Sequence, residues 1–211
     1  TTADIGGFSL NYHKHIHCGE GGLLVTNDDC LAERLQLIRN HGEAVIDSDS
    51  PEELANILGQ NFRLGEIEAA IAREQLHKLP GLVESRQRAA ARLTLALSQL
   101  PGLDTPKVSA EATHVYYVYG LTLDLGRLTR DRAWIVAALK AEGVTGLLEG
   151  YQNIHLNPLF RHRIAYGTSG FPWTGLRSGD SKIRYGSGLC PVAEHLHQNS
   201  FIGLNLCAHA F

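Results

Sequence analysis

A chain of 211 residues, 44% hydrophobic and 19% charged, has the composition of an ordinary globular protein and enough length for one large or two small cores. Its formal charge of −3, with Lys and Arg scattered along the chain, leaves no basic face, so neither a nucleic-acid partner nor an anionic membrane surface is expected. No apolar run is long enough to span a membrane, no secretory signal opens the chain, and the four cysteines lack Cys-x-x-Cys spacing; a cytoplasmic protein with free thiols is the expectation.

In chain order, residues 1–26 read as strand, turn and strand. Asn27-Asp-Asp29 then offers a cap to a helix with Leu31, Leu35 and Ile38 on one face, and His41-Gly42 ends it. Residues 43–56 read as a polar loop. Leu64, Ile67 and Ile71 begin a second apolar stripe that runs through Leu76 and Leu79. Pro80-Gly81 is expected to interrupt it before a third helix carrying Ala90, Leu93, Leu97 and Leu100. Pro101-Gly102 closes that helix and marks the expected boundary to a second lobe. There Val115, Tyr117, Tyr119, Leu121 and Leu123 alternate as a strand, and Thr129 precedes a helix around Ile135, Val136 and Leu139 that Gly143 ends. The Gly-, Ser- and aromatic-rich stretch 167–188 reads as a loop over a site or interface.

The residue whose surroundings suggest chemistry is Lys14. It lies among Phe8, Leu10, Tyr12 and Ile16, in a segment running into Gly19-Glu20-Gly21-Gly22, where backbone leaves one strand and turns into another. Most lysines are solvated charges. Desolvation and neighbouring cationic groups, however, favour the neutral amine that attacks a carbonyl, and His13 and His15 flank Lys14. A Schiff base is the chemistry such a setting points to, and Ser9 offers a hydroxyl to a phosphate held nearby. The same segment carries a rival: on a strand His13, His15 and His17 would share one face and, with Cys18, could ligate zinc. No second ligand pair with evident spacing lies elsewhere, so each histidine reads better as a polar group lining a pocket, and no metal is expected.

The string Phe8-Ser9-x4-Lys14-x4-Gly19-Glu20-Gly21-Gly22, followed by Val25-Thr-Asn-Asp28 and Leu35-x-x-Ile-Arg-Asn-His-Gly42, resembles the lysine region of the DegT/DnrJ/EryC1/StrS family. These are pyridoxal-phosphate sugar aminotransferases of fold type I. Leu58-Gly-Gln-Asn-Phe-Arg-Leu-Gly-Glu-Ile-Glu-Ala-Ala-Ile71 is similar to a second family block, and Tyr151-Gln-Asn-Ile-His-Leu156 and Leu189-Cys-Pro-Val-Ala-Glu194 to small-domain signatures. The resemblance implies an α/β fold: part of the cofactor-binding large domain in residues 1–101 and a small C-terminal α/β domain in 102–211. It implies that Lys14 forms a Schiff base with pyridoxal phosphate and moves protons, that Ser9 contacts the cofactor phosphate, and that Asn61 reaches the phosphate across the interface of a homodimer with shared active sites. Locally, Ser9 also suits a turn and Asn61 a cap for a helix starting at residue 63. Tyr151 and His155 would line the sugar site. The implied substrates are a keto sugar, usually nucleotide-linked, and glutamate or glutamine as amino donor, in amino-sugar and surface-polysaccharide biosynthesis. A family branch with histidine in place of the lysine performs dehydration, so Lys14 favours transamination.

Family members are about twice this length. Their pyridine-nitrogen aspartate, stacking aromatic and N-terminal phosphate-binding turn have no counterpart here. The expectation is a fragment that is inactive alone, with under-covered apolar faces around Leu35, Ile67 and Leu93. A non-catalytic half that pairs with another subunit is the other reading of that gap.

Overall fold

The computed structural model describes residues 3–43, 57–174 and 183–206; nearly all of the loop expected at 43–56, part of that at 167–188, and Cys207 lie outside them. The chain separates into two compact units, Thr1–Ser85 and Arg86–Phe211.

In the first unit, β1 (Gly6–Ser9) and β2 (Gly22–Val25) pair antiparallel, with Gly6 opposite Val25 and Ser9 opposite Gly22. Asp28 starts α1 (Asp29–Arg39), its carboxylate accepting from the Leu31 amide at 3.0 Å. The helix stops where His41 and Gly42 adopt φ of 62° and 78°. The Gly42 amide donates back to the Leu37 carbonyl at 2.8 Å, and a Cβ at residue 42 would lie 2.2 Å from the Ile57 carbonyl oxygen, so only glycine fits. The face that packs differs from the expected stripe: Leu37 is fully buried, Leu31 and Leu35 are half-buried, and Ile38 is exposed. The cause is the returning chain, whose Gln60 and Phe62 amides donate to the carbonyls of Ile38 and Arg39. It covers the last turn of the helix rather than its middle.

The second helix, α2, runs unbroken from Glu66 to Leu97 with Pro80 inside it, where the sequence led us to expect two helices. A proline in a helix interior costs about 3 kcal/mol relative to alanine. The strong helix formers on either side and the burial of Ala90 outweigh that cost. Exposed apolar side chains remain on its first half, Ile67 among them at 76%.

The second unit is built on an antiparallel sheet of order β3-β4-β6-β5, formed by Leu103–Asp104, Tyr119–Leu123, Phe201–Leu204 and Leu147–Leu148. β4 is shorter than the alternation from Val115 implied. Tyr116 takes φ of 51°, its amide donating to His114 Nδ1, and so breaks the extended run. Asp131 caps α3 (Arg132–Ala141), accepting from the Trp134 amide at 2.8 Å. Tyr119, Ala90 and Leu206 form one buried cluster, against which the half-buried Leu93 and Leu97 pack, while Leu95 beside them stays exposed. Leu123, Val136 and Ile202 form another. A 3-10 turn (Ile154–Leu156), α4 (Pro158–Arg161), α5 (Pro191–His195) and a π turn (Leu196–Ser200) complete the unit. No described helix is long and apolar enough to cross a membrane.

Pro80→Ala supplies the amide that the Leu76 carbonyl lacks. It is expected to raise unfolding stability by on the order of 1–3 kcal/mol in chemical denaturation; a loss of stability would mean that the proline shapes the helix to a purpose.

Candidate active site

The segment between β1 and β2 is a closed loop. The Leu10 amide donates to the Gly21 carbonyl at 2.9 Å, adding a rung beyond the Ser9–Gly22 pair, and the Cys18 amide donates to the Leu10 carbonyl at 3.1 Å. Leu10 and Cys18 are buried by this folding. Lys14 stands half-buried in the turn, its amide bonded to the Asn11 carbonyl at 2.9 Å. Asn11 and Glu20 join their side chains across the loop. Ser9, exposed at the end of β1, accepts from the Asn11 amide at 3.3 Å. Its hydroxyl proton is thereby left to donate elsewhere.

His13, His15 and His17 follow β1 in turns and bends rather than on a strand, so the period-two argument for a common histidine face does not hold. Among the described residues no group of three or more His, Cys, Asp or Glu side chains is arranged to hold a metal. Described cysteines Cys18, Cys30 and Cys190 are free thiols.

Asn61 lies in the same unit, in an isolated antiparallel bridge with Asn40. Its Oδ1 accepts from the Arg63 amide at 3.3 Å, and the Arg63 guanidinium donates to the Asn40 side chain. Because α2 begins at Glu66, Asn61 shapes the turn before the helix and does not cap a helix starting at residue 63. The amide nitrogen of Asn61 carries two further donors.

Tyr151 and His155 belong to the second unit. Tyr151 is 73% exposed. His155 is largely buried, with Nε2 at 2.8 Å from Oε1 of the buried Glu194. That carboxylate also accepts from the Ser187 hydroxyl and the Gly188 amide at 2.9 Å and from the Cys190 amide at 3.2 Å. The Gly188 amide first, then His155, with smaller help from Ser187 and Cys190, bring the carboxyl from the ordinary 4.5 down to about 2 against the opposing effect of burial. The sequence points to His155 and, separately, to the Leu189–Glu194 motif. Nothing in a separation of 39 residues shows that the two meet.

Residues 1–176 match the DegT/DnrJ/EryC1/StrS aminotransferase family. The chain belongs to that family. The spore coat polysaccharide biosynthesis protein SpsC of Bacillus subtilis is 27% identical over 182 residues, covering 80% of this chain and 45% of SpsC. A DegT DnrJ EryC1 StrS aminotransferase from Brucella abortus is similar in structure with a TM-score of 0.71 at 26% identity, covering 96% of this chain and 45% of that one. The E. coli GDP-4-keto-6-deoxy-D-mannose-3-dehydratase, solved with bound hydrated PLP, gives 0.59 at 26% identity, over 69% of this chain and 40% of that one. The fold is accordingly a part of the fold-type-I architecture of pyridoxal-phosphate enzymes, and pyridoxal phosphate is the cofactor of the family's aminotransferases. The chain spans about half the length of the curated relatives it matches.

The donor set of the β1–β2 loop fits that cofactor. A half-buried primary amine suits its aldehyde, and a serine hydroxyl with a proton to donate suits its phosphate.

Glu194 also sets a pH dependence. Its folded pKa is depressed, so the stability it contributes is fully present above the ordinary 4.5 and is lost as the pH falls toward about 2. Glu194→Gln is therefore expected to be less stable than the native chain at neutral pH, with the difference shrinking over that acidic window in urea titrations. A difference independent of pH across the window would contradict the assignment.

Proposed function

We propose that the protein is a pyridoxal-phosphate-dependent aminotransferase acting on a keto sugar, nucleotide-linked, with glutamate or glutamine as amino donor. The observation that carries this is Lys14, half-buried in a closed loop with Ser9 at its edge, inside the stretch that matches the family. Bound pyridoxal phosphate supplies the electron sink that lets an amino group leave one carbon and enter another. The chain supplies position and proton movement. Lys14 Nζ would hold the cofactor through its aldehyde carbon and would accept and return the proton that the transfer requires. The Ser9 hydroxyl would hold the phosphate.

Asn61 of the neighbouring subunit in a homodimer would hold the phosphate, so each site would be shared. Tyr151 and His155 line the sugar side. Residues 1–101 serve as part of the cofactor lobe and 102–211 as the small lobe. A lysine at position 14 supports transamination over the dehydration named for the E. coli relative, and the name of SpsC supports a place in polysaccharide biosynthesis. Amino-sugar formation in the cytoplasm is part of the same proposal.

Borohydride reduction of the cofactor-loaded protein followed by peptide mapping is expected to place a pyridoxyl group on Lys14. Lys14→Ala should lose the label and, in the whole protein, at least roughly 10²–10⁴-fold of turnover while keeping its circular dichroism. Label on Lys78 or Lys107 instead would overturn the assignment.

The shared site has its own test. In the whole protein, mixing inactive Lys14→Ala with inactive Asn61→Ala subunits is expected to restore activity, because the mixed dimer contains one intact site. No recovery from mixed dimers shown to have formed would count against a cross-subunit role for Asn61.

A further inference from the structure

The segment from Gly150 to His155 is held at both ends by one helical stretch, Pro191–Ser200. At its start, Gly150 has φ of 82° and lies so close to His197 that a Cβ would sit 2.6 Å from the His197 carbonyl oxygen and 2.7 Å from Nδ1. Only glycine can make that approach. The His197 end is itself fixed: the Arg132 guanidinium donates to the His197 carbonyl at 2.5 Å and reaches the carbonyls of Leu196 and Phe201 at 3.4 Å. At the far end, His155 meets Glu194, which belongs to the same helical stretch. Between the two ends Tyr151 stands 73% exposed, and Asn153 is buried with Nδ2 lacking an acceptor among the described residues. The arch is thus held at both ends on the helical stretch, and among the described residues the one further side-chain bond it makes is local, from Gln152 Nε2 to Asn157 Oδ1 at 2.6 Å.

We propose that Glu194 is a positioning residue for the substrate side, acting through His155 to hold the arch 150–156 in the shape that presents Tyr151. An ionised carboxylate only accepts hydrogen bonds, so His155 Nε2 carries the proton and its ring orientation is set by Glu194. Glu194 is in turn set by Ser187, Gly188 and Cys190, whose donors leave it little freedom to turn. One charged group therefore ties the loop 187–190 to the arch 150–156. What the arch presents is a phenol with an accessible ring, able to stack on the C–H face of a sugar while its hydroxyl pairs with the sugar's own. The inference rests on the sugar-aminotransferase reading above for the identity of that ligand, and on the geometry alone for the clamp.

The test uses the full chain, native and as Glu194→Gln, Glu194→Asp and Gly150→Ala, in hydrogen exchange read by mass spectrometry and in ¹⁵N NMR of the histidine rings. Glu194→Gln and Gly150→Ala are each expected to speed amide exchange across 151–156 by about tenfold or more, with β4 and α3 unchanged. In the native chain the His155 Nε2 proton should be fixed and slow to exchange; it should be lost as a distinct signal in Glu194→Gln and partly restored in Glu194→Asp. Exchange that rises only at 187–190, or a His155 ring indifferent to Glu194, would reduce Glu194 to a local cap of its own loop and overturn the proposal. If Glu194→Gln unfolds throughout, Gly150→Ala decides, since release of 151–156 alone supports the two-ended clamp and its absence refutes it. Neither cofactor nor substrate is needed, so failure here falls on the clamp, whereas a pyridoxyl label away from Lys14 falls on the aminotransferase reading.

Discussion

The antiparallel register that sets Ser9 opposite Gly22 is the constraint on which the candidate site depends. Once those residues pair, the chain from Leu10 to Gly21 has to close on itself, and its backbone groups need partners. They find them in the Leu10–Gly21 and Cys18–Leu10 hydrogen bonds, which bury Leu10 and Cys18 and leave Lys14 partly withdrawn from water. A slip of one residue would exchange the two faces of the ribbon and move the ends of the loop with them. The half-burial of Lys14 is therefore a property of strand pairing as much as of the lysine.

In the second unit a buried carboxylate has the corresponding part. Burying an ionised group is costly unless it is fully hydrogen-bonded, and Glu194 is accommodated by drawing donors from the 187–190 loop and from His155. Burial and loop geometry are linked at this point. The contacts that make the charge tolerable are the ones that join two loops whose sequences are far apart. The apolar clusters around Tyr119 and Ile202 give the sheet its stability, while the polar hub fixes the loops at its edge.

Local chemistry was legible in the sequence, and long-range packing was not. The Asp28 cap, the Gly42 stop and the β1–β2 hairpin follow from residue types acting within a few positions of themselves. Lys14 stood out because its neighbours were wrong for a solvated charge and right for a known motif. Pro80 was misread because a local helix breaker was overruled by the packing of Ala90 and its neighbours on the core. Tyr116 ended a strand by a backbone angle that alternation does not encode. Leu37, rather than the Leu31–Leu35–Ile38 stripe, became the buried anchor of α1 because the returning segment at Gln60 and Phe62 lies against the last turn. The His155–Glu194 contact was invisible for the same reason, since two short motifs do not reveal that they touch.

The central claim is that the loop closed by the Ser9–Gly22 pair holds a lysine for a carbonyl-bearing cofactor. A crystal structure of the protein grown with pyridoxal phosphate tests it most directly. The account predicts unbroken density from Lys14 Nζ to the cofactor, with the Ser9 hydroxyl on a phosphate oxygen; cofactor density detached from Lys14, or joined to a different lysine, would contradict it.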